Sequence, residues 1–367
     1  MPGQYEQLTP GDPAPWFQQA TSRHANYKFH TAAGRYVVLG FVATTSDTIG
    51  AQVLAGVRRH AEVFANDTVS SFLVSHDPAD GSITVPESVT AIWDFDGLVG
   101  QLYGSLPKAA GQQAAARRFW MVLGPTLRVK ALFPIVGPDG SIPEALISYV
   151  KTLPPPDLAT GVEIQAPILY LPEVFEAGFC RDLIAYHQAR GGHETGVMRQ
   201  SGAETIEVID RTIKSRIDCV VDDPRLTGYL QMAIMRRVVP EIHRAFQFDV
   251  RYMERYLVGR YAAEDGGHFA AHRDNTSDGT AHRQFAITIN LNDDFDGGSL
   301  TFPEYGPKTY KPAVGGAVIF SCGLLHAVTP VTRGKRYAFL PFLHNETGEQ
   351  IRRRNLSHLA PAARPAP

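Results

Sequence analysis

The chain has 367 residues, 44% of them hydrophobic and 20% charged, with a formal net charge of -2. That length exceeds one ordinary core and points to two domains, while the composition excludes disorder, collagen and coiled coil as the main architecture. With 35 Lys+Arg against 37 Asp+Glu, no charge excess draws the chain to nucleic acid or to an anionic membrane surface.

In chain order, Tyr36–Val42 and Ser71–Ser75 read as buried strands, and Ile49–Phe64 between them carries helical spacing through Val53, Leu54, Val57, Ala61 and Phe64. Two more strands, Phe119–Leu123 and Val129–Phe133, and a helix over Pro143–Val150 follow, so residues 1–152 predict an α/β layer structure. Three consecutive prolines in Lys151-Thr-Leu-Pro-Pro-Pro-Asp-Leu-Ala-Thr-Gly161 cannot continue a helix or a central strand. Residues 153–163 therefore predict a stiff linker. Beyond it come a strand at Ile168–Leu171, helices over Pro172–Arg190 and Pro224–Phe246, and then strands at Tyr252–Tyr261, Phe285–Leu291, Ser299–Phe302, Ala317–Phe320 and Arg336–Leu343. Helices followed by many short strands with Gly-rich turns predict an α+β unit over residues 164–356 with a sandwich or barrel core. Residues 357–367 read as a loose tail. Cys180, Cys219 and Cys322 lie far apart with no Cys-x-x-Cys, which predicts free thiols in a reducing cytoplasm. The first residues are neither basic nor apolar and no apolar run reaches 18 residues, so neither a signal peptide nor a membrane span is expected.

The chemistry concentrates in Gly266-Gly-His-Phe-Ala-Ala-His272-Arg-Asp274-Asn and Gly323-Leu-Leu-His326. On a strand His272 and Asp274 share a face. With His326 they supply two imidazoles and one carboxylate to a metal, leaving open positions that suit non-haem Fe(II), a chelating cosubstrate and O2. Arg336, ten residues beyond His326 and across the turn Thr332-Arg-Gly-Lys335, offers a planar guanidinium for a distal carboxylate. Lys335 is its rival, because alternation lets only one of the two face inward. In Phe285–Asn292 the residues Phe285, Ile287, Ile289 and Leu291 form an apolar stripe, and Ala286, Thr288, Asn290 and Asn292 a small polar one that fits a hydrated cavity.

These pieces, with Leu171-Pro-Glu-Val-Phe-Glu-Ala-Gly-Phe-Cys-Arg-Asp-Leu-Ile184, Tyr256-Leu-Val-Gly-Arg-Tyr261, Leu291-Asn-Asp-Asp-Phe-Asp-Gly-Gly-Ser-Leu-Thr-Phe-Pro303 and Gly316-Ala-Val-Ile-Phe, stand in the order of a known family. Residues 165–350 resemble the prolyl 4-hydroxylase-like 2-oxoglutarate/Fe(II) dioxygenases. The resemblance implies a double-stranded β-helix (jelly roll), Fe(2+) on His272, Asp274 and His326, and the 2-oxoglutarate C5 carboxylate on Arg336. It implies a cosubstrate-contacting tyrosine at Tyr261 and L-ascorbate as reductant. It also implies hydroxylation of an amino acid, a peptidyl residue or another small molecule by O2. Many relatives carry Tyr where this chain has Asn290, so the second cosubstrate contact falls to a shorter amide. Asp274 is retained where related halogenases have Gly or Ala, which favours hydroxylation.

Gly11-Asp-Pro-Ala-Pro-Trp-Phe17, Gly34-Arg-Tyr-Val-Val-Leu-Gly-Phe41, Asp94-Phe-Asp-Gly97 and Arg118-Phe-Trp-Met-Val-Leu-Gly124 resemble the thioredoxin-fold peroxiredoxins. No Cys occurs from residue 1 to 179, and Val-Ala-Thr-Thr-Ser-Asp-Thr-Ile-Gly50 offers no thiolate to attack peroxide. Arg118 matches the arginine that steadies such a thiolate. The expectation is a degenerate domain kept for stability, substrate presentation or homodimer pairing. The alternative for the whole chain is a non-catalytic scaffold protein with a vestigial triad. His268, Cys322, Asp210, Arg216 and the acidic turn Asp293, Asp294 and Asp296 are secondary candidates with ordinary structural explanations.

Overall fold

The structure, a computed structural model, describes residues 4–108, 115–135 and 142–359. The chain divides into two compact units, Met1–Gln165 with Pro303–Gly306, and Ala166–Phe302 with Pro307–Pro367.

The first unit contains a five-stranded sheet built from Tyr36–Ala43 (β1), Val69–Ser75 (β2), Thr90–Trp93 (β3), Phe119–Leu123 (β4) and Val129–Pro134 (β5), in the order β3-β2-β1-β4-β5. The first three strands run parallel, and β4 and β5 pair antiparallel. Every residue of β4 is buried, as expected of a strand covered on both faces. The expected single helix over Ile49–Phe64 is two, Thr48–Arg59 (α1) and Ala61–Phe64 (α2), because His60 leaves the helical region at φ -114°, ψ 36°. Asp47 caps α1 by accepting from the Gly50 N–H. Helices Leu98–Tyr103 (α3) and Glu144–Lys151 (α4) complete the layer.

In the second unit the helix expected from Pro172 starts later, as Ala177–Arg190 (α5). Glu173 takes φ 54° and Glu176 is extended, so the intervening residues cannot join the helix. Pro224–Phe246 forms two helices, Pro224–Arg237 (α6) and Val239–Phe246 (α7). Pro240 has no N–H for the ladder, and the break falls at Val238. These helices bury Cys180, Leu183, Leu230, Ala233, Ile234 and Ile242 in one core with Phe285, Ile287, Ile289, Ile319 and Phe339 of the sheet. Each such side chain contributes about 1.5–3 kcal/mol when removed from water.

The strands relevant to the site are Lys214–Ser215 (β6), Ile217–Val220 (β7), Tyr252–Glu254 (β8), Leu257–Ala262 (β9), His268–His272 (β10), Phe285–Asn290 (β11), Leu300–Thr301 (β12), Ala317–Ser321 (β13), His326–Val328 (β14), Lys335–Phe339 (β15) and Phe342–His344 (β16). A nine-stranded antiparallel sheet runs β8-β16-β11-β15-β9-β7 and on to His193–Glu194, with β13 also paired to β11. A five-stranded sheet runs β6-β10-β14-β12 and on to Thr309–Tyr310. The strand expected over Tyr252–Tyr261 is interrupted by Arg255 at φ 70°. The one expected over Arg336–Leu343 is interrupted at Leu340-Pro341. The loose tail is ordered at its start. A helix, Glu346–Asn355 (α8), and a 3-10 turn, Leu356–His358, lead to Leu359, which is buried and bridged to Thr205. Residues 360–367 lie outside the described residues.

Candidate metal centre

His272 ends β10 and His326 begins β14, and the two are direct cross-strand partners. Their rings lie 4.2 Å apart between centroids. Asp274 is not on the strand, as the alternation argument required. It lies past its end, in a turn where its N–H donates to the Cys322 carbonyl at 3.0 Å. The carboxylate nevertheless reaches both imidazoles, with Oδ1 3.5 Å from His272 Nε2 and Oδ2 3.4 Å from His326 Nε2. One ligand atom from each residue falls within 4.8 Å of the others.

Each imidazole is oriented from behind. His272 Nδ1 lies 2.8 Å from the Ala270 carbonyl and His326 Nδ1 lies 3.0 Å from that of Leu324. A carbonyl can only accept, so Nδ1 carries the hydrogen and Nε2 keeps its lone pair for a cation. Burial and the neighbouring His272 push His326 down to about 4, so it is the neutral, ligating form at neutral pH. Burial raises the Asp274 carboxyl, but His326 and His272 outweigh it and hold it below the usual carboxylate range. Phe269 stacks on His272 at 3.6 Å, and Phe320 packs edge-on against His326 at 4.6 Å. These rings flank the two imidazoles.

The rivalry on β15 resolves by burial. Lys335 is exposed and pairs with Glu264 at 3.0 Å, whereas Arg336 is 2% exposed. Arg336 Nε donates to Asn290 Oδ1 at 3.0 Å and Nη2 to Thr288 Oγ1 at 2.7 Å. Its guanidinium lies 5.3 Å from the Tyr261 ring, and Nη1 is buried without a partner among the described residues. The polar stripe of β11 thus serves Arg336. Asn290 Nδ2 donates to the Pro312 carbonyl at 2.8 Å. Its Oδ1 orients the guanidinium. Tyr261 is buried, and its hydroxyl accepts from Arg216 Nη1 at 3.1 Å.

Arg216 is the residue that strand patterning undervalued. It links β6 of one sheet to β7 of the other and holds the buried Asp218 with two hydrogen bonds at 2.5 and 2.7 Å. Gly259, the partner of Asp218 on β9, leaves the room for this pair, since a Cβ there would sit 2.8 Å from Arg216 Cδ. Other candidates stay outside. His268 turns to the carbonyls of Gly266 and Thr212. Asp210 pairs with Arg199, Asp296 with Arg333, and Asp294 accepts from Asn292. Asp293 is exposed. Cys322 contributes only its backbone. A cavity of about 380 Å³ lined by Glu194, Arg211, Arg216, Arg260 and Glu264 contains none of the three metal-type ligands. In the first unit Arg118 binds Asp47, the cap of α1.

Residues 256–344 match the family model of the 2OG-Fe(II) oxygenase superfamily. A PKHD-type hydroxylase of Shewanella sp. strain ANA-3 is 31% identical over 167 residues, covering 43% of this chain and 72% of that protein. The chain belongs to the 2OG-Fe(II) oxygenase superfamily. A second PKHD-type hydroxylase, from Shewanella sp. strain MR-7, is 29% identical over 165 residues with the same coverage, 43% and 72%. This oxygenase is also similar to a Pseudomonas putida prolyl-4-hydroxylase structure, at 22% identity and TM-score 0.39 over 52% of this chain and 96% of that one. A peroxiredoxin-like protein from Aquifex aeolicus matches at 18% identity and TM-score 0.33, covering 40% of this chain and 88% of that one. Membership makes the protein an oxidoreductase of the dioxygenase type and implies Fe(2+) and 2-oxoglutarate. Among the described residues no helix is long and apolar enough to cross a membrane.

Proposed function

We propose that the second unit is a hydroxylase in which His272 Nε2, His326 Nε2 and an Asp274 carboxylate oxygen hold Fe(II). The convergence of these three atoms within 4.8 Å, with both Nδ1 atoms committed to carbonyls, carries this reading. Two imidazoles and one carboxylate on one side of the ion leave positions for a bidentate oxo acid and O2. Iron supplies O2 activation when bound, and the overall conversion takes a substrate C–H, O2 and 2-oxoglutarate to C–OH, succinate and CO2. Arg336 is the receiver of the C5 carboxylate: its buried Nη1 donor has no acceptor among the described residues, and a dicarboxylate supplies one. Thr288 and Asn290 fix its fork, and Tyr261 lies against its face. The two sheets are read as the halves of a double-stranded β-helix. Residues 164–356 are the oxygenase domain, joined by a 153–163 linker to a peroxiredoxin-like domain, 1–152, with no thiol chemistry. The substrate is an amino acid, a peptidyl residue or another small molecule, and L-ascorbate is the expected reductant.

The test is anaerobic Fe(II) and 2-oxoglutarate binding by the full chain, read as a visible charge-transfer band and as metal content. His272→Ala, Asp274→Ala and His326→Ala are each expected to lose the band, the stoichiometric iron and succinate formation while keeping the fold. A variant that retained iron and turnover would remove its residue from the set.

A further inference from the structure

Three basic side chains converge on one carboxylate near the proposed centre. Asp218 is 0% exposed, and Lys214, Arg216 and Arg255 all reach it. Arg216 takes both of its oxygens, and the Thr195 hydroxyl also bonds Oδ2. Lys214, 3.5 Å away, has acceptors of its own in Thr195 Oγ1 and the Gly196 carbonyl. Arg255 is left with a single long contact, Nη2 to Asp218 Oδ2 at 3.4 Å. Burial and Arg216 push Lys214 down to about 6, against the pull of Asp218. With Lys214 lowered, two guanidiniums still face one carboxylate, a surplus of one positive charge.

Arg255 is also the accessible member. Its side chain is 27% exposed, against 2% for Lys214 and 4% for Arg216. It lies over the Phe342 ring at 5.5 Å, and the cluster it joins meets the candidate metal centre through Phe269, which lies 5.6 Å from Lys214 Nζ and 6.0 Å from the Arg216 guanidinium and stacks on His272. Its backbone at φ 70° is a conformation that bulky residues rarely adopt, and such strain persists where the surroundings fix a side chain's direction. The charge balance of the proposed reaction leaves this surplus untouched. Fe(II) and 2-oxoglutarate neutralise one another, and Arg336 and Asp274 do the same.

We propose that Arg255 receives a carboxylate of the substrate, so that the oxygenase acts on a carboxylic acid. This rests on the function proposed above. A planar fork with free donors takes a carboxylate through two parallel hydrogen bonds, whereas a neutral amide would leave both the charge and one donor unpaired. The carboxylate can belong to a free small acid or to an acidic side chain in a peptide.

The experiment uses the full chain with Fe(II), 2-oxoglutarate and O2, and reads succinate release above the substrate-free rate. The probes are N-acetyl amino acids as free acids and as primary amides, and proline-containing peptides with Asp or Asn beside the proline. Stimulation by free acids assigns the small-molecule source, and stimulation by the Asp peptides the peptide source. In either case the neutral twin is expected to be at least tenfold weaker in kcat/KM, Arg255→Gln to remove the difference between twins, and Arg255→Lys to restore part of it. Neutral twins as effective as the acids, silence of every acid, or an Arg255→Gln protein that still discriminates would overturn the proposal. An Arg336→Ala protein with an unchanged KM for 2-oxoglutarate would instead overturn the function on which it rests.

Discussion

Replacing Arg336 by Ala removes a buried guanidinium donor, Nη1, that has no acceptor among the described residues. If Nη1 and the charge behind it hold the C5 carboxylate, the loss is that of a charge-assisted hydrogen bond in a dry site, about 1.5–3 kcal/mol. The KM for 2-oxoglutarate should then rise by about 10- to 150-fold. Arg336→Lys should recover part of the loss, because it keeps the charge and gives up the fork. The truncation also strands Thr288 Oγ1 and Asn290 Oδ1, which accept from Arg336 in the native protein. A fall in melting temperature accompanies it, and KM must be measured on protein shown to be folded at the assay temperature. Lys335→Ala is the internal control: Lys335 is exposed and pairs with the exposed Glu264, so KM should stay within about twofold. Initial rates of succinate formation across a 2-oxoglutarate titration decide the matter. An Arg336→Ala protein with wild-type KM, or a larger effect from Lys335→Ala, would refute the assignment.

Lys214 gives a pH signature. Its folded value of about 6 lies far below its ordinary 10.5. Between those values the unfolded chain holds a proton that the folded one does not, so this group makes stability rise with pH across that window, by at most about 1.4 kcal/mol per unit. Denaturant titrations of wild type and Lys214→Met at pH 6.5, 7.5 and 8.5 should therefore show a difference that grows in favour of wild type. A flat difference would mean that Lys214 stays charged. Gly259→Ala places a Cβ 2.8 Å from Arg216 Cδ and 3.1 Å from Asp218 Oδ1, and should cost about 1–3 kcal/mol of stability; an unchanged melting temperature would show that the pair can move aside. Peroxide should be consumed no faster with the protein than with dithiothreitol alone. The first unit has no cysteine, and burial pushes the thiols of Cys180, Cys219 and Cys322 up, that of Cys180 to about 11. Protein-dependent consumption would expose a reactive thiol that the fold conceals.

Local spacing determined much of this protein. The apolar stripe Phe285, Ile287 and Ile289 alternates with Thr288 and Asn290 because a strand has a period of two, and the structure places the first set in the helical core and the second around Arg336. The same alternation limited Lys335 and Arg336 to one inward residue without saying which. Burial decides it, and burial belongs to the assembled sheets. Asp274 shows the opposite failure: its carboxylate comes to both imidazoles, but the backbone reaches that position through a turn pinned to Cys322 rather than along a strand. Helix ends at Glu176 and Val238 and the strand break at Arg255 were beyond periodicity, because each depends on a backbone conformation that neighbouring elements impose. Lys214, Arg216 and Asp218 stand at alternate positions of one short stretch, but Arg255 joins them only when β7 pairs with β9, and only tertiary structure sets such a meeting.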